Sequence, residues 1–368
     1  MGNGYKGLCL IPTEGSRNFV SMVDGVLRRW SGSEKGYVVE AKCPRFGSGE
    51  GKGLIMETVR GKDAYIFVDV VNSSITYRMD GYENRMSPDD HFADLKRMIG
   101  ACNGKARKIT VIMPFLYEGR QHRRTNRESL DCAQMLHELL NMGVSDVITF
   151  DAHDPRVQNS TPLMCLENVR PTLQVVESLF SHVADLKLDA EHLMVVSPDE
   201  GASDRAIYLA GVLGVNIGMF YKRRDYTRIE DGRNPIVAHE FVGEGVCGKD
   251  IIVVDDMISS GDSMIDVAGQ LKLRGAGRIF ISATFGLFTN GMERFDNAVR
   301  KGLIDGILTT NLIYQKPEVL NRKYYISVDM SEYMAALVNT LNAEESISRL
   351  IEPTDRIKQA VDKYNRQK

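Results

Sequence analysis

The residues best arranged for chemistry are Val253-Val-Asp-Asp-Met-Ile-Ser-Ser-Gly-Asp-Ser263. An apolar strand delivers two carboxylates, Asp255 and Asp256, and a loop of small residues then turns into a helix. Backbone N–H groups of such a loop, with a helix N-terminus behind them, attract an anion. Ser259, Ser260 and Ser263 add hydroxyl donors, and Gly261 lets a phosphate approach the backbone. Asp255 and Asp256 beside that phosphate suit ribose hydroxyls or a hydrated Mg²⁺. A plain strand-to-helix turn with solvated acids uses the same residue types. Lys222-Arg-Arg224, close after another apolar run, is open to two readings as well. It is either a basic surface turn or a place where a planar fork and a compact cation meet developing negative charge.

These groups need strands to hold them. Apolar runs at Ala64–Val71, Lys108–Met113, Val147–Phe150, Leu193–Ser197, Asn216–Tyr221, Ile251–Val254, Arg278–Thr284, Gly306–Thr309 and Tyr325–Val328 read as strands. Many are continuously apolar, as when helices cover both faces of a parallel sheet. Helices fit between them over Phe92–Ile99, Ser129–Asn141, Pro171–Val183, Asp204–Leu213, Ser263–Arg274, Met292–Lys301, Ser331–Leu341 and Thr354–Asn365. Ser87-Pro88-Asp89-Asp90 supplies an N-cap, a proline at the first helical position and first-turn acids for one of these starts. The alternation predicts an α/β fold of doubly wound type. Ligands in such folds bind at the carboxyl ends of the strands, where Asp151 and His153 follow Phe150 and Asp255 and Asp256 follow Val254. Two related halves meet near Pro171, and Ser73–Ser87 reads as a surface insertion.

The chain has 368 residues with 46 basic and 49 acidic side chains, a net charge of −3. So balanced a surface argues against a nucleic-acid binder. The length suits two domains. No apolar window approaches the ~18 residues of a membrane helix, and no secretory signal is visible. Six cysteines without a CxxC pair read as buried thiols of a cytoplasmic protein.

Six ordered motifs resemble those of ribose-phosphate diphosphokinases, the PRPP synthetases. Phe46-Gly-Ser-Gly-Glu50 followed by Arg60-Gly61 is similar to that family's FSNGE…RG hairpin, and Ile112–Gln121 to IPYFGYARQ. Thr149-Phe-Asp-Ala-His153 resembles MDLH, Ser197-Pro-Asp-Glu-Gly201 resembles SPDAGG, and Lys222-Arg-Arg224 falls at KxR. The sixth is the loop 255–263; Asp329-Met-Ser-Glu and Glu344–Ser348 are similar to DIS…ESVS as well. The resemblance implies two phosphoribosyltransferase-like (type I) domains with mainly parallel sheets, over 1–170 and 171–350, followed by a C-terminal helix at 351–368. It implies transfer of the diphosphoryl group of Mg-ATP to the C1 hydroxyl of ribose 5-phosphate, giving AMP and phosphoribosyl diphosphate.

By the same resemblance Phe46, Ser48, Glu50, Arg120 and Gln121 bind ATP. Asp199, Asp255, Asp256, Ser259, Ser260, Gly261, Asp262 and Ser263 bind ribose 5-phosphate. Lys222 and Arg224 are catalytic, and His153, Asp199 and Asp151 hold Mg²⁺. The remaining histidines read as ordinary surface or core residues. A homo-oligomer, dimer or hexamer, is expected. The chain departs from the family at Ser259 and Asp262, where the usual loop is DDMxDTxGT, and His122 replaces an Asp. Two other readings use the same motifs. One is a non-catalytic nucleotide-binding homologue that regulates a synthetase, and the other a phosphoribosyltransferase.

Overall fold

The computed structural model describes residues 5, 7–224 and 236–366, without the side chains of 222–224 and 236–239. Lys222 and Arg224 thus have a described backbone, while their side chains lie outside the described residues. In chain order the elements are β1 Leu8–Pro12, α1 Arg17–Ser31, β2 Ala41–Lys42, β3 Leu54–Ile55, β4 Asp63–Phe67, β5 Thr76–Met79, β6 Tyr82–Arg85, α2 Pro88–Cys102, β7 Lys108–Ile112, α3 Asp131–Asn141, β8 Asp146–Phe150 and β9 Cys165–Val169. There follow α4 Thr172–His182, β10 Leu193–Ser197, α5 Ser203–Leu213, β11 Asn216–Arg224, β12 Ile236–Gly243, β13 Asp250–Ile258, α6 Asp262–Leu273, β14 Ile279–Gly286, α7 Glu293–Arg300, β15 Gly306–Thr310, α8 Pro317–Leu320, β16 Tyr325–Val328, α9 Ser331–Asn342, α10 Ser348–Ile351 and α11 Thr354–Arg366. The class is α/β with mostly parallel sheets, as the alternation of strands and helices implied.

Two compact units share these elements. The first holds residues up to Pro171 together with Asn311–Tyr314 and Asp329–Glu352. Its sheet runs β1-β4-β7-β8-β9, all parallel. The strands β4 and β8 are buried along their whole length. Ser87 starts α2 as its residue type predicts: its hydroxyl accepts the Asp90 N–H while the Asp90 carboxylate accepts the Ser87 N–H, 3.0 Å away.

The second unit holds Thr172–Thr310, Gln315–Val328 and Pro353–Lys368. Its sheet runs β12-β11-β10-β13-β14-β15-β16, and β12 alone is antiparallel to its neighbour. Strand order reverses about β10, which has β11 on one side and β13 on the other. A core of Val196, Phe220, Val253, Ile281, Phe288 and Phe295 fills the space between sheet and helices.

This division differs from the contiguous segments 171–350 and 351–368 expected from the sequence. Residues 329–352 belong to the first unit because their polar groups are used there. Arg107 pairs with Glu344 at 2.9 Å and with the buried Asp63 at 2.5 Å, and the Asn342 amide donates to the same Asp63 carboxylate. Helix α1, absent from the sequence reading, packs along α9. The cysteines also differ from expectation. Cys9, Cys102 and Cys132 are buried, but Cys165 opens the edge strand β9 and Cys247 lies in the turn before β13, both exposed. Among the described residues no helix is long and apolar enough to cross a membrane.

Candidate active site

In the second unit the carboxyl ends of β10 and β13 lie side by side, with Val196 opposite Val253. Strand order reverses between them, the position at which α/β folds of this type bind their ligands. Strand β13 runs to Ile258, beyond the expected end at Val254, because pairing with β14 continues as far as Ile258 opposite Gly286. Asp255 and Asp256 therefore stand on the strand itself. Asp256 is buried, and its N–H donates to Asp255 Oδ1 at 2.8 Å. Burial, then the neighbouring Asp256 carboxylate and the charge of Asp199, hold the Asp255 carboxyl well above the ordinary carboxylate range. Asp199 follows β10 and accepts the Gly201 N–H at 3.0 Å, while Ser197 Oγ donates to the Asp199 carbonyl at 2.6 Å. The three acids are thus one electrostatic cluster, although Asp199 and Asp255 are 56 positions apart in the chain.

The loop after β13 reaches α6 through Gly261, which has φ +86°. A Cβ there would overlap the Phe295 ring from α7, so close packing and a left-handed backbone both require glycine. Ser260 Oγ donates to Asp262 Oδ2 at 3.1 Å, and Ser263 is exposed. Asp262, an acid in the loop expected to bind phosphate, is paired with Arg294 of α7. Arg294 entered no motif; it lies 32 positions along the chain from its partner.

The first unit carries three groups at strand ends or in a hairpin. Pro44–Lys52 forms a tight hairpin in which the Phe46 N–H donates to the Glu50 carbonyl and the Gly49 N–H to the Phe46 carbonyl, 2.7 and 2.9 Å apart. Phe46 is 54% exposed at its tip, and Ser48 Oγ donates to Glu50 Oε2 at 2.8 Å. After β7, Tyr117 stacks on Phe92 of α2 at 4.6 Å and donates its hydroxyl proton to Asp89. This anchors the loop before Arg120, which is exposed, and Gln121, whose amide donates to the Ser129 carbonyl at 2.8 Å.

After β8, Asp151 is buried with φ +41° and its N–H donates to the Val169 carbonyl. His153 is exposed. His122, expected to be an ordinary residue, lies beside it with ring centroids 5.7 Å apart. His122 Nε2 is 3.2 Å from Asp154, and its buried Nδ1 has no hydrogen-bond partner among the described residues. Arg156, and then His122, hold the Asp154 carboxyl down to about 2. No local spacing joins His122 to His153; its adjacency to Arg120-Gln121 was the one usable signal. Among the described residues no three His, Cys, Asp or Glu side chains converge as a metal centre. A cation held by one or two carboxylates, with substrate oxygens and water as its other ligands, is the usual arrangement for Mg²⁺.

With this geometry in hand, residues 13–143 match the family model for the N-terminal domain of ribose phosphate pyrophosphokinase. Residues 228–352 match the phosphoribosyl synthetase-associated domain. Ribose-phosphate pyrophosphokinases of Vibrio parahaemolyticus and Shewanella oneidensis are each 29% identical to the chain over 316 and 317 residues, covering 84% of it and 90% of each relative. A phosphoribosylpyrophosphate synthetase structure from Mycobacterium smegmatis shares the fold, with TM-score 0.74 and 20% identity over 92% of this chain and 100% of that one.

Proposed function

The chain belongs to the ribose-phosphate pyrophosphokinase family, and from that premise we propose that it is a working ribose-phosphate diphosphokinase. It transfers the β,γ-diphosphoryl group of ATP to the C1 hydroxyl of ribose 5-phosphate. The observation that supports the reading is the coexistence of two features: the acid-flanked loop 255–263 where strand order reverses in the second unit, and the exposed Phe46 hairpin of the first.

Ribose 5-phosphate lies in the second unit. Its phosphate is held by N–H groups at the start of α6 and by the hydroxyls of Ser259, Ser260 and Ser263, with Gly261 giving access. Asp199, Asp255 and Asp256 accept from ribose hydroxyls. ATP is held by the first unit: Phe46 stacks on adenine, Ser48 and Glu50 meet its polar edge, and Arg120 and Gln121 reach the phosphates. The C1 oxygen bonds to the β-phosphorus as the bond from that phosphorus to the α,β-bridging oxygen breaks. AMP departs with the bridging oxygen, and the C1 hydroxyl proton passes to solvent water. Lys222 and Arg224 stabilise charge on the migrating group. His153, Asp151 and Asp199 are the candidate Mg²⁺ holders, and the carboxylates among them are hard oxygen donors of the kind this ion prefers. Bound Mg²⁺ neutralises polyphosphate charge. The enzyme acts as a homo-oligomer, a dimer or hexamer, which sedimentation velocity tests.

The deciding experiment follows ³¹P signals of the full chain with Mg-ATP and ribose 5-phosphate. Equal growth of AMP and a C1 diphosphate is expected; ADP as product, or no turnover, overturns the reading. Nucleotide binding without AMP, with an active synthetase co-purifying, favours the regulatory homologue. Release of diphosphate from phosphoribosyl diphosphate only when a nucleobase is added favours a phosphoribosyltransferase.

A further inference from the structure

The insertion over residues 73–87 folds into the β5–β6 hairpin, and its surroundings give it a task. Met79 pairs with Tyr82 across a two-residue turn, Asp80-Gly81, with φ of +50° and +82°. Positive φ at both positions suits the tight turn that matches strand twist, and Asp-Gly supplies it. Along β5 exposure alternates: Thr76 and Arg78 face solvent while Tyr77 and Met79 are half-buried. What Tyr77 and Met79 cover is the Phe46 hairpin. The Arg45 guanidinium lies over the Tyr77 ring, 4.9 Å from its centroid. A Cβ on Gly49 would fall 2.7 Å from the Met79 sulfur. The Asp80 N–H at the tip donates to the Gly47 carbonyl at 3.0 Å. From below, Arg45 pairs with Asp94 of α2 at 3.0 Å, and its side chain is 8% exposed.

We infer that the β5–β6 hairpin is a positioning element, clamping the turn that carries Phe46, with Tyr77 and Arg45 as its principal contact. Held between Tyr77 and Asp94, Arg45 cannot swing, so the exposed Phe46 ring next to it is presented in one place before any base arrives. Pre-ordering of this kind strengthens binding by removing the cost of fixing the loop afterwards. The consequence for nucleotide affinity rests on the ATP-binding reading of Phe46; the clamp itself does not.

The test compares the full-length wild type with Tyr77→Ala, Tyr77→Phe and a deletion of Thr76–Arg85. In the deletion Gly-Gly joins Ile75 to Met86, whose backbones are already bonded at 2.9 Å. Loss of a desolvated cation–π contact is expected to speed amide hydrogen exchange at residues 46–49 about tenfold in Tyr77→Ala, and at least as much in the deletion. The KM for ATP rises about tenfold with kcat within about twofold, and Tyr77→Phe restores both exchange and KM. Wild-type exchange at 46–49 in both the Ala and deletion variants overturns the inference. So does a fall in kcat at unchanged KM, or a Phe variant that behaves like Ala. If the wild type neither binds ATP nor forms AMP, the functional reading fails, and the exchange rates alone decide the clamp.

Discussion

Arg294 reaches from α7 to pair with Asp262, the first residue of α6. That contact offsets the charge of the acid at the start of α6 with a cation at the same place. Both side chains are more than half exposed, so the pair is screened by salt and contributes little to stability. Its effect is expected on binding. Asp262→Asn removes a repulsive charge and should lower the KM for ribose 5-phosphate about threefold, whereas Arg294→Ala should raise it about tenfold. Both effects shrink in concentrated salt. Steady-state kinetics at two ionic strengths check this, and an unchanged KM for Arg294→Ala would place that guanidinium away from the phosphate.

Gly261→Ala tests the shape of the same loop. The new methyl meets the Phe295 ring, and φ of +86° is strained for alanine. Calorimetry of ribose 5-phosphate binding is expected to show at least about tenfold weaker affinity. Adding Phe295→Ala should recover only part of it, since removing the ring leaves the backbone strain in place. Full recovery would assign the whole effect to the clash.

Phe46 is half-exposed at the end of its hairpin, so truncation leaves the core intact. Base–aromatic stacking contributes about 1–3 kcal/mol, hence Phe46→Ala should weaken ATP binding about tenfold or more while Phe46→Trp keeps it. Fluorescence titration with an adenine nucleotide gives the answer. Equal affinity for the Ala variant and the wild type removes Phe46 from the base site.

Asp69 is expected to make folding pH-dependent. It is buried after β4, accepting N–H bonds from Val71 at 3.1 Å and Tyr314 at 2.6 Å. Burial pushes its carboxyl up to about 7, although those two bonds pull the other way. In the unfolded chain it titrates near ~4. Between ~4 and ~7 the folded protein therefore keeps a proton that the unfolded chain has lost, and stability falls as pH rises through that window. The loss is on the order of 2–4 kcal/mol and levels off above ~7. Asp69→Asn should flatten this slope, measured as urea midpoints between about pH 5 and about pH 8. A variant as pH-sensitive as the wild type would assign the slope to other groups.

Lys222→Ala should lower turnover about 10²–10³-fold while shifting the Kd for ATP far less, because a preorganised charge acts mainly on the migrating group. Comparable losses in Kd and kcat would make Lys222 a binding residue.

Much was legible from residue order alone. Leu193–Ser197 and Tyr325–Val328 begin and end as strands where their apolar runs do, and Ser87-Pro-Asp-Asp starts α2 as capping chemistry requires. The loop 255–263 stands out as well, since hydroxyls, glycine and acids are packed into nine positions, and it joins β13 to α6. These are short-range properties, set by side-chain type and by periods of two or 3.6 residues. Only the folded chain decided that Asp262 meets Arg294, that His122 lies against His153 and Asp154, and that residues 329–352 rejoin the first unit. It alone placed Tyr77 over Arg45. Each of these joins side chains distant along the chain, and which of many possible partners an Arg or His finds depends on where packed elements bring it. No local pattern encodes that choice.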